Sequence, residues 1–292
     1  MTQTGTRPYT LTEAFDQFTR ELDRSTLTVQ AYVTDIRQFL TWLNENDFTV
    51  TTINQVTRSH INEYLKYIEG LGRTNTTRRR KLAALKVFFK FLASGNIIAE
   101  SPAASVKCPK KEKKRRDYLK PDEYNRVLAL AGGHPRDFAI LQVFLQTGIR
   151  VSELIAIELK DLNVEQKTLL IHGKGQKERE IPLEKKALQA LKSWLSNRPQ
   201  THDTHLFLNY TGMGLSLRGV RKLVDKYVHE AGITKQISCH GLRRTCLTNK
   251  AARNMNAFAI QKLAGHEEME TTRLYVMLGT EELRPLMEAT SL

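Results

Sequence analysis

Residues 168–183 read TLLIHGKGQKEREIPL, and their pattern differs from that of the rest of the chain. Apolar and β-branched residues flank a Gly-Lys-Gly tripeptide, which predicts two short antiparallel strands joined by a tight turn. Lys174 is then expected at the exposed tip of a hairpin. Elsewhere the apolar residues recur at helical spacing. The sequence therefore predicts a mainly α fold with a small antiparallel β-sheet.

The part of the chain before the hairpin contains a basic stretch that separates two domains. Residues 107–121, KCPKKEKKRRDYLKP, have little apolar content and a dense positive run, which predicts an exposed linker. Helices are predicted ahead of it over residues 25–43, 59–70 and about 77–92. We therefore predict a helical N-terminal domain, a basic linker and a second domain over residues 1–103, 104–120 and 121–292.

The chain is strongly basic. Its 292 residues include 45 Lys and Arg against 31 Asp and Glu, which gives a formal net charge of +14 and a pI near 9.7. This excess favours a polyanionic partner, because phosphate binding releases condensed counterions; a soluble protein that is merely basic is the alternative. The irregular spacing of the three cysteines indicates a reducing compartment. The first residues are polar and no apolar run could span a bilayer, so we expect a soluble cytoplasmic protein without a membrane partner.

Clustered basic residues are the candidate contacts to a nucleic-acid partner. They occur at the start of the third predicted helix, in the linker and on a predicted helix after Ser216, and they are Arg78, Arg79, Arg80, Lys81, Lys113, Lys114, Arg115, Arg116, Arg218, Arg221 and Lys222. The alternative for each cluster is a solvated cationic surface or tether. The sequence has no Walker-type phosphate loop, and no cofactor is expected.

Six polar residues of the second domain could together perform chemistry. They are Arg150 in TGIRVSEL, Lys174 in the hairpin, His240 and Arg243 in SCHGLRRT, His266 in LAGH and Tyr275 in TTRLYV. Taken singly, each has an ordinary explanation as a surface, turn, capping or packing residue. As a set they suit metal-free phosphodiester cleavage by a tyrosine hydroxyl. Guanidinium and imidazole groups would stabilise the charged transition state, and a lysine or histidine would protonate the leaving oxygen.

The same motifs carry a resemblance to a known family. TGIRVSEL, the GKG hairpin, HGLRRT, LAGH and TTRLYV occur in an order and at spacings that resemble those of the tyrosine recombinases, or phage integrase family. The resemblance covers about residues 10–288 and is strongest to Xer-like site-specific recombinases. It implies a two-domain DNA clamp, with an N-terminal helical core-binding domain and a C-terminal catalytic domain. It also implies strand exchange through a Holliday junction without ATP or metal.

The resemblance implies a role for each of the six residues. Tyr275 would attack the scissile phosphate and form a 3′-phosphotyrosyl link, which leaves a free 5′-hydroxyl. Lys174 would protonate the leaving oxygen, and His240 would assist proton transfer. The phosphate oxygens would be held by Arg150, Arg243 and His266.

The chain departs from the common family pattern beside two of these motifs. Cys239 stands where a proline is frequent, and Arg244 stands where a histidine is frequent. Neither change removes a catalytic group. Acidic residues also lie between the last histidine and the tyrosine, at Glu267, Glu268 and Glu270. Our hypothesis is that they weaken local DNA binding or restrain the tyrosine segment until a partner protomer engages.

Assembly on DNA is a further implication of the resemblance. The expected substrate is double-stranded DNA with inverted half-sites, held by a tetrameric synapse in the nucleoid. A C-terminal tail helix with Leu283, Leu286 and Met287 is expected to dock into a neighbouring protomer; packing within its own protomer is the alternative. A second recombinase or an accessory protein is another candidate partner. The sequence leaves open the DNA target, and whether the role is chromosome dimer resolution or integration, excision or resolution of a mobile element.

Other functions share part of this pattern. A non-catalytic DNA-binding protein would use the basic surfaces but would need none of the six residues. A nicking or relaxing enzyme of the type IB topoisomerase kind would share the chemistry, whereas the basic N-terminal domain and the tail favour recombination. A metal enzyme is disfavoured, because His202 and His205 in THDTH lack enough further ligands nearby.

Overall fold

The computed structural model describes residues 8–21, 26–47, 49–110, 117–173 and 177–265. It divides the chain into two compact units, Met1–Lys114 and Arg115–Leu292. The division falls within residues 104–120, where the sequence predicts a linker. The limits of the two domains as stated from the sequence remain a prediction.

The described part of the first unit is helical. Its helices are α1 (Leu11–Glu21), α2 (Thr26–Asn46), α3 (Arg58–Gly70) and α4 (Asn75–Ser94). The last three confirm the helices predicted from apolar periodicity. They meet around aromatic rings, because Phe39 of α2 packs edge-on against Tyr64 of α3 and Phe89 of α4, with ring centroids 5.2 Å and 6.3 Å away.

The described part of the second unit combines helices with a small sheet. Its helices are α5 (Pro121–Ala131), α6 (Pro135–Thr147), α7 (Val151–Ala156), α8 (Lys185–Asn197), α9 (Leu217–Glu230), α10 (Cys239–Ala252) and α11 (Ala257–Ala264). Its strands are β1 (Leu162–Asn163), β2 (Thr168–His172) and β3 (Glu178–Pro182), paired antiparallel in the order β1-β2-β3. The predicted mainly α fold with a small antiparallel sheet is confirmed. Strands β2 and β3 form the predicted hairpin, and Lys174 lies outside the described residues.

Local sequence signals set the ends of the helices that surround the site. Pro121 opens α5, where its missing N–H leaves no helical hydrogen bond unmade. Ser216 caps α9 by accepting a hydrogen bond from the Gly219 N–H at 3.1 Å. Gly148 and Gly265 end α6 and α11 in the left-handed conformation, with φ of 62° and 63°. In the sequence, these two glycines precede Arg150 and His266 of the predicted site.

Helix α6 is the most deeply buried helix near the site and packs against α8 and α10. Where α6 ends, a Cβ on Gly148 would lie 3.2 Å from Leu247 Cδ2 and 3.3 Å from Cys246 Sγ. Helix α10 therefore lies directly against this turn, and glycine satisfies both the backbone angle and the close approach. Although α6 is apolar, no helix among the described residues is long and apolar enough to cross a membrane.

Candidate active site

The structure brings two of the predicted catalytic residues, Arg150 and Arg243, to one corner of the second unit. The Arg243 guanidinium donates to the carbonyl oxygens of Gly148 at 2.6 Å and Ala264 at 2.7 Å. The Arg150 Nη2 donates to the carbonyl oxygen of Gly265 at 3.0 Å. Two arginines far apart in sequence are thus fixed on the consecutive carbonyls that end α11.

This corner leads directly into the segment that carries two more predicted catalytic residues. Gly265 is the last described residue, and His266 follows it in the sequence. Like Lys174, both His266 and Tyr275 lie outside the described residues. Arg150, His240 and Arg243 are therefore the members of the predicted catalytic set that the structure describes.

His240 and Arg243 lie on α10, as their spacing predicts, but their environments differ. The helix starts at Cys239 and is capped by Ser238, whose hydroxyl accepts a hydrogen bond from the Gly241 N–H at 3.4 Å. His240 is exposed in the first turn, whereas Arg243 is only 2% exposed. Arg243 thus lies beneath the corner, with its terminal nitrogens bonded to backbone carbonyls.

Glu153 completes the corner and was missed by sequence reasoning. Its buried carboxylate accepts hydrogen bonds from Arg150, through the backbone N–H at 2.8 Å and through Nη1 at 2.7 Å. Burial raises the pKa of Glu153, but the hydrogen bonds and charge of Arg179 and Arg150 outweigh it, and the pKa lies below its ordinary value. The sequence signal that could have identified it is the capping box, in which a glutamate three residues after the N-cap residue accepts a hydrogen bond from the backbone N–H of that residue.

Arg179 on β3 was missed as well. Its Nη1 and Nη2 donate to the two carboxylate oxygens of Glu153 at 3.0 Å and 2.8 Å, and its Nε donates to the carbonyl oxygen of Leu263 at 3.2 Å. Its side chain is 14% exposed. The sequence signal that could have identified it is the alternation of side chains along a strand. Arg179 and the buried Ile181 are two residues apart and therefore lie on the same face of β3.

The charges at this corner favour an anion. Among the described residues of this corner, Arg150, Arg179 and Arg243 contribute three positive charges, which face the carboxylate of Glu153. The Arg150 side chain is 43% exposed, so its guanidinium can reach a ligand from solvent. A planar guanidinium held in place by a carboxylate is well suited to bind phosphate oxygens.

A second ionic cluster lies at the turn end of the hairpin, where His172 is paired with Glu178. His172, at the end of β2, has its Nε2 3.0 Å from Asp161 Oδ1 and its Nδ1 2.9 Å from Glu178 Oε1. The hydrogen bond and charge of Asp161, with a smaller effect of Glu178, raise the pKa of His172 above its ordinary value. The ring therefore ties both strands of the hairpin to the segment before β1.

The basic residues predicted to contact DNA at the start of α4 occupy different environments. Arg78 pairs with Glu69 and is only 14% exposed, and Arg79 donates to the carbonyl oxygen of Pro109 at 2.7 Å. Arg80 is half-exposed and pairs with Asp35. Of these three arginines, Arg80 has the side chain most accessible to a phosphate.

The prediction of a DNA contact at Lys81 needs correction, because this lysine is buried. Its ammonium lies 3.1 Å from Asp35 Oδ1 and also bonds Gln38, and its side chain is 6% exposed. The ammonium is also 5.8 Å from the centroid of the Tyr64 ring. Lys81 is buried together with the apolar residues of its helix. In the domain interior it neutralises the buried Asp35 carboxylate.

The other predicted DNA contacts divide between described and undescribed segments. Arg218, Arg221 and Lys222 are exposed on the first half of α9. The linker residues, by contrast, lie outside the described residues; they are Lys113, Lys114, Arg115 and Arg116. In the second unit, the α9 cluster is therefore the set of predicted DNA contacts that the structure describes as exposed.

The THDTH segment is organised by one carboxylate. Asp203 accepts hydrogen bonds from the backbone N–H and Nδ1 of His205 at 2.9 Å and 2.6 Å, and from the Gly214 N–H at 2.7 Å. The bonds from His205, with that from Gly214, lower the pKa of Asp203 to about 2. Across the described residues, no group of three or more His, Cys, Asp and Glu is arranged to hold a metal ion.

Comparisons with known proteins cover nearly the whole chain. Residues 117–282 match the phage integrase family, and residues 13–96 match its N-terminal SAM-like domain. The chain is 34% identical to the tyrosine recombinase XerC of Natranaerobius thermophilus, over 87% of this chain and 89% of that protein. It is 29% identical to the tyrosine recombinase XerD of Oceanobacillus iheyensis, over 95% and 96% of the two chains.

Solved structures share the fold. The integrase of the Tn1549 transposon in complex with transposon right end DNA superposes with a TM-score of 0.82. The two chains are 19% identical, and the match covers 97% of this chain and 100% of that one. A lambda integrase dimer bound to a core site superposes with a TM-score of 0.77 at 18% identity, over 91% and 77% of the two chains.

Proposed function

Because the chain belongs to the phage integrase family and is a tyrosine site-specific recombinase, we propose that Tyr275 is the nucleophile that cuts and rejoins its DNA. The observation that carries the proposal is the corner at the end of α11. Arg150 and Arg243 bind the carbonyls of Gly265 and Ala264, so they fix the point from which the chain continues to His266 and Tyr275.

The proposed reaction exchanges one ester for another. The Tyr275 oxygen loses its proton and forms a bond to the scissile phosphorus, and the bond to the 5′ oxygen breaks. Lys174 protonates that oxygen, with His240 assisting proton transfer, and a free 5′-hydroxyl results. The ester energy is retained in the 3′-phosphotyrosyl link, so a 5′-hydroxyl of a partner duplex can reverse the step and exchange strands.

The described arginines supply positive charge where negative charge develops. The Arg150 side chain is 43% exposed, which supports its proposed role of binding a non-bridging phosphate oxygen. His266 is proposed to share that role. Arg243 contributes its charge from beneath, where its two terminal nitrogens are bonded to backbone carbonyls. Cations near Tyr275 also favour its ionised form, which is about one part in a thousand at neutral pH for an ordinary tyrosine.

DNA binding is assigned to basic surfaces on both units. Arg80 on α4, the exposed cluster on α9 and the linker residues are proposed to contact the phosphate backbone. Lambda integrase, which shares the fold, has been solved as a dimer on a core site. We propose that this chain likewise binds inverted half-sites and assembles to a tetramer on nucleoid DNA.

A nicked substrate tests the chemistry. Purified full-length protein first selects its binding site from random-sequence duplex DNA. A nick beside the scissile phosphate then allows the cleaved end to diffuse away, so the covalent adduct accumulates and survives denaturation. Wild type is expected to form this adduct and Tyr275→Phe to form none. An adduct in Tyr275→Phe, or none in wild type on a bound site, contradicts the proposal.

The rival functions give different products. A DNA-binding protein without catalysis binds the selected site but forms no adduct. A type IB topoisomerase-like enzyme relaxes a supercoiled plasmid with one site yet yields no recombinant from a plasmid with two. Formation of recombinant product from two sites, dependent on Tyr275, distinguishes recombination from both.

The C-terminal tail is proposed to dock in a neighbouring protomer. Leu283, Leu286 and Met287 are its proposed anchors, and they lie outside the described residues. Deletion of residues 281–292 is expected to reduce synapsis of two sites more than binding of a single half-site. Normal recombination by the truncated protein contradicts this docking.

A further inference from the structure

Arg179 connects three of the segments that carry or lead to proposed catalytic residues. It lies on β3, one arm of the hairpin that carries Lys174. Both of its terminal nitrogens bind Glu153, which in turn binds Arg150. Its Nε binds the carbonyl oxygen of Leu263, near the end of α11.

The end of α11 is built closely around Arg179. A Cβ added to Gly265 would lie 2.9 Å from Arg179 Nη1 and 3.0 Å from its Cζ. Gly265 therefore allows the guanidinium to lie against the backbone two residues beyond the Leu263 carbonyl. The same glycine accepts the hydrogen bond from Arg150.

Sharing of the Glu153 carboxylate determines what Arg150 can do. Glu153 is 4% exposed and accepts bonds from both arginines through both of its oxygens. Arg179 supplies a second cation to this buried anion, so Arg150 makes only one side-chain bond to it. The N–H groups of Arg150 that bond neither Glu153 nor the Gly265 carbonyl can then bind another ligand. Without Arg179, the buried carboxylate would draw Arg150 inwards as its remaining cation.

We propose that Arg179 is a positioning residue for the cleavage step, which acts by holding Glu153 and the α11 terminus so that the Arg150 guanidinium faces the scissile phosphate. The inference rests on the proposed function, since it takes Arg150 as a phosphate-binding residue. Arg179 itself contacts no reacting atom. Its contribution passes through Arg150, and it should be distinguishable from support of Lys174 or of the fold.

Chemically modified scissile phosphates separate these possibilities. Adduct formation is measured in single turnover on the nicked selected site with wild type, Arg179→Met and Arg179→Lys. On ordinary phosphate, Arg179→Met is expected to cleave about 10²-fold more slowly than wild type, because small misplacements of a catalytic group have effects of this size. Arg179→Lys should be similarly slow, since an ammonium cannot bind both Glu153 oxygens and the Leu263 carbonyl in the same planar arrangement.

Two further substrates identify the residue through which Arg179 acts. A methylphosphonate replaces one charged non-bridging oxygen with a methyl group and lessens the need for a guanidinium. A 5′-bridging sulfur leaves without protonation and lessens the need for Lys174. We expect the ratio of wild-type to Arg179→Met rates to shrink to below about 10-fold on the methylphosphonate and to persist on the sulfur substrate.

Each other outcome overturns the inference. A ratio that shrinks on the sulfur substrate alone assigns Arg179 to the hairpin lysine. A ratio that persists on both substrates, or the absence of any defect on ordinary phosphate, leaves Arg179 with a structural role only.

Two controls keep the test interpretable if Arg179→Met is poorly folded. Arg126→Met removes an exposed arginine of the same unit that pairs with Asp122, and it should cleave like wild type. The double variant Arg179→Met, Glu153→Gln removes the buried negative charge that would otherwise draw Arg150 inwards, so it should recover melting temperature and also part of the cleavage rate. Recovery of the melting temperature without any recovery of cleavage contradicts the inference. Failure of wild type to form an adduct contradicts instead the proposed function.

Discussion

The Arg243 Nη2 donates a hydrogen bond to the carbonyl oxygen of Ala264 at 2.7 Å, across a separation of 21 residues. The other terminal nitrogen binds the carbonyl oxygen of Gly148, so one buried side chain joins the turn after α6 to the end of α11. Both joined segments continue into proposed catalytic residues, Arg150 and His266. The neighbouring Arg244 instead binds the carbonyl oxygen of Asp117 at 3.0 Å, at the start of the second unit.

Replacement of Arg243 should therefore impair chemistry more than DNA binding. Lysine cannot bind both carbonyls with one planar group, and loss of a transition-state donor typically reduces rates by about 10²–10³-fold. We expect Arg243→Lys to lower single-turnover cleavage by that factor while binding of the selected site changes little. Arg244→Lys is the matched control, and its cleavage should fall less than about 10-fold. Equal defects in the two variants would contradict the assignment.

Lys81 and Arg80 pair with the same carboxylate, Asp35, yet their replacement should lower the free energy of unfolding by very different amounts. Lys81 is buried, and removal of one partner of a buried ion pair costs about 3–5 kcal/mol, so Lys81→Met should strongly lower the free energy of unfolding in urea. Arg80 is 51% exposed, and Arg80→Met should cost less than about 1 kcal/mol.

The same two variants test which residue reaches DNA. Arg80→Met should reduce the slope of log affinity against log salt by about 1, as expected for one lost phosphate contact, and Lys81→Met should leave the slope unchanged. Measurements are made on the selected site below the unfolding temperature of both variants. A reduced salt-dependence slope in Lys81→Met, with the slope of Arg80→Met unaltered, would show that Lys81 and not Arg80 contacts DNA.

Thr245 on α10 holds the chain segment that enters the second unit. Its buried hydroxyl accepts a hydrogen bond from the Leu119 N–H at 2.9 Å and donates to the Gly241 carbonyl oxygen. Thr245→Val leaves the Leu119 N–H buried without this partner, which typically costs about 1–3 kcal/mol. Thr147→Val is the control, because the Thr147 hydroxyl donates only within its own helix. Urea unfolding should show the larger loss for Thr245→Val, and equal losses would refute this role.

His172 should make the stability of the hairpin dependent on pH. Its pKa is raised in the folded state by Asp161 and Glu178. Its contribution is therefore fully present below the unfolded pKa of about 6.5 and is lost as pH rises through the higher folded value. The ring is 40% exposed, so the effect should stay below about 1 kcal/mol.

The matching measurement compares thermal unfolding of wild type and His172→Gln between pH 5.5 and 8.5. Wild type should lose more stability than the variant as the pH rises, and the two curves should converge at the alkaline end. Parallel curves over this range contradict the assigned ion pairs.

Local patterns predicted the elements well, because each depends on residues close in sequence. The apolar and β-branched residues around the GKG turn predicted β2 and β3, and apolar periodicity predicted α2, α3 and α4. Side-chain burial is not a local property. The run Arg78 to Lys81 looked uniformly cationic, yet its last member faces the core, because a partner carboxylate 46 residues away compensates its charge.

The sequence by itself determined the helical and strand content, the basic character and the set of motif residues, since periodicity, charge and motif order are read directly along the chain. Only the tertiary structure decided that Arg150 and Gly265, 115 residues apart, are hydrogen-bonded, and that Glu153 and Arg179 complete that corner. The physical reason is that a buried charge is tolerated only where opposite charge and hydrogen-bond donors converge on it. That convergence depends on how helices and strands pack, which no single segment of the chain specifies.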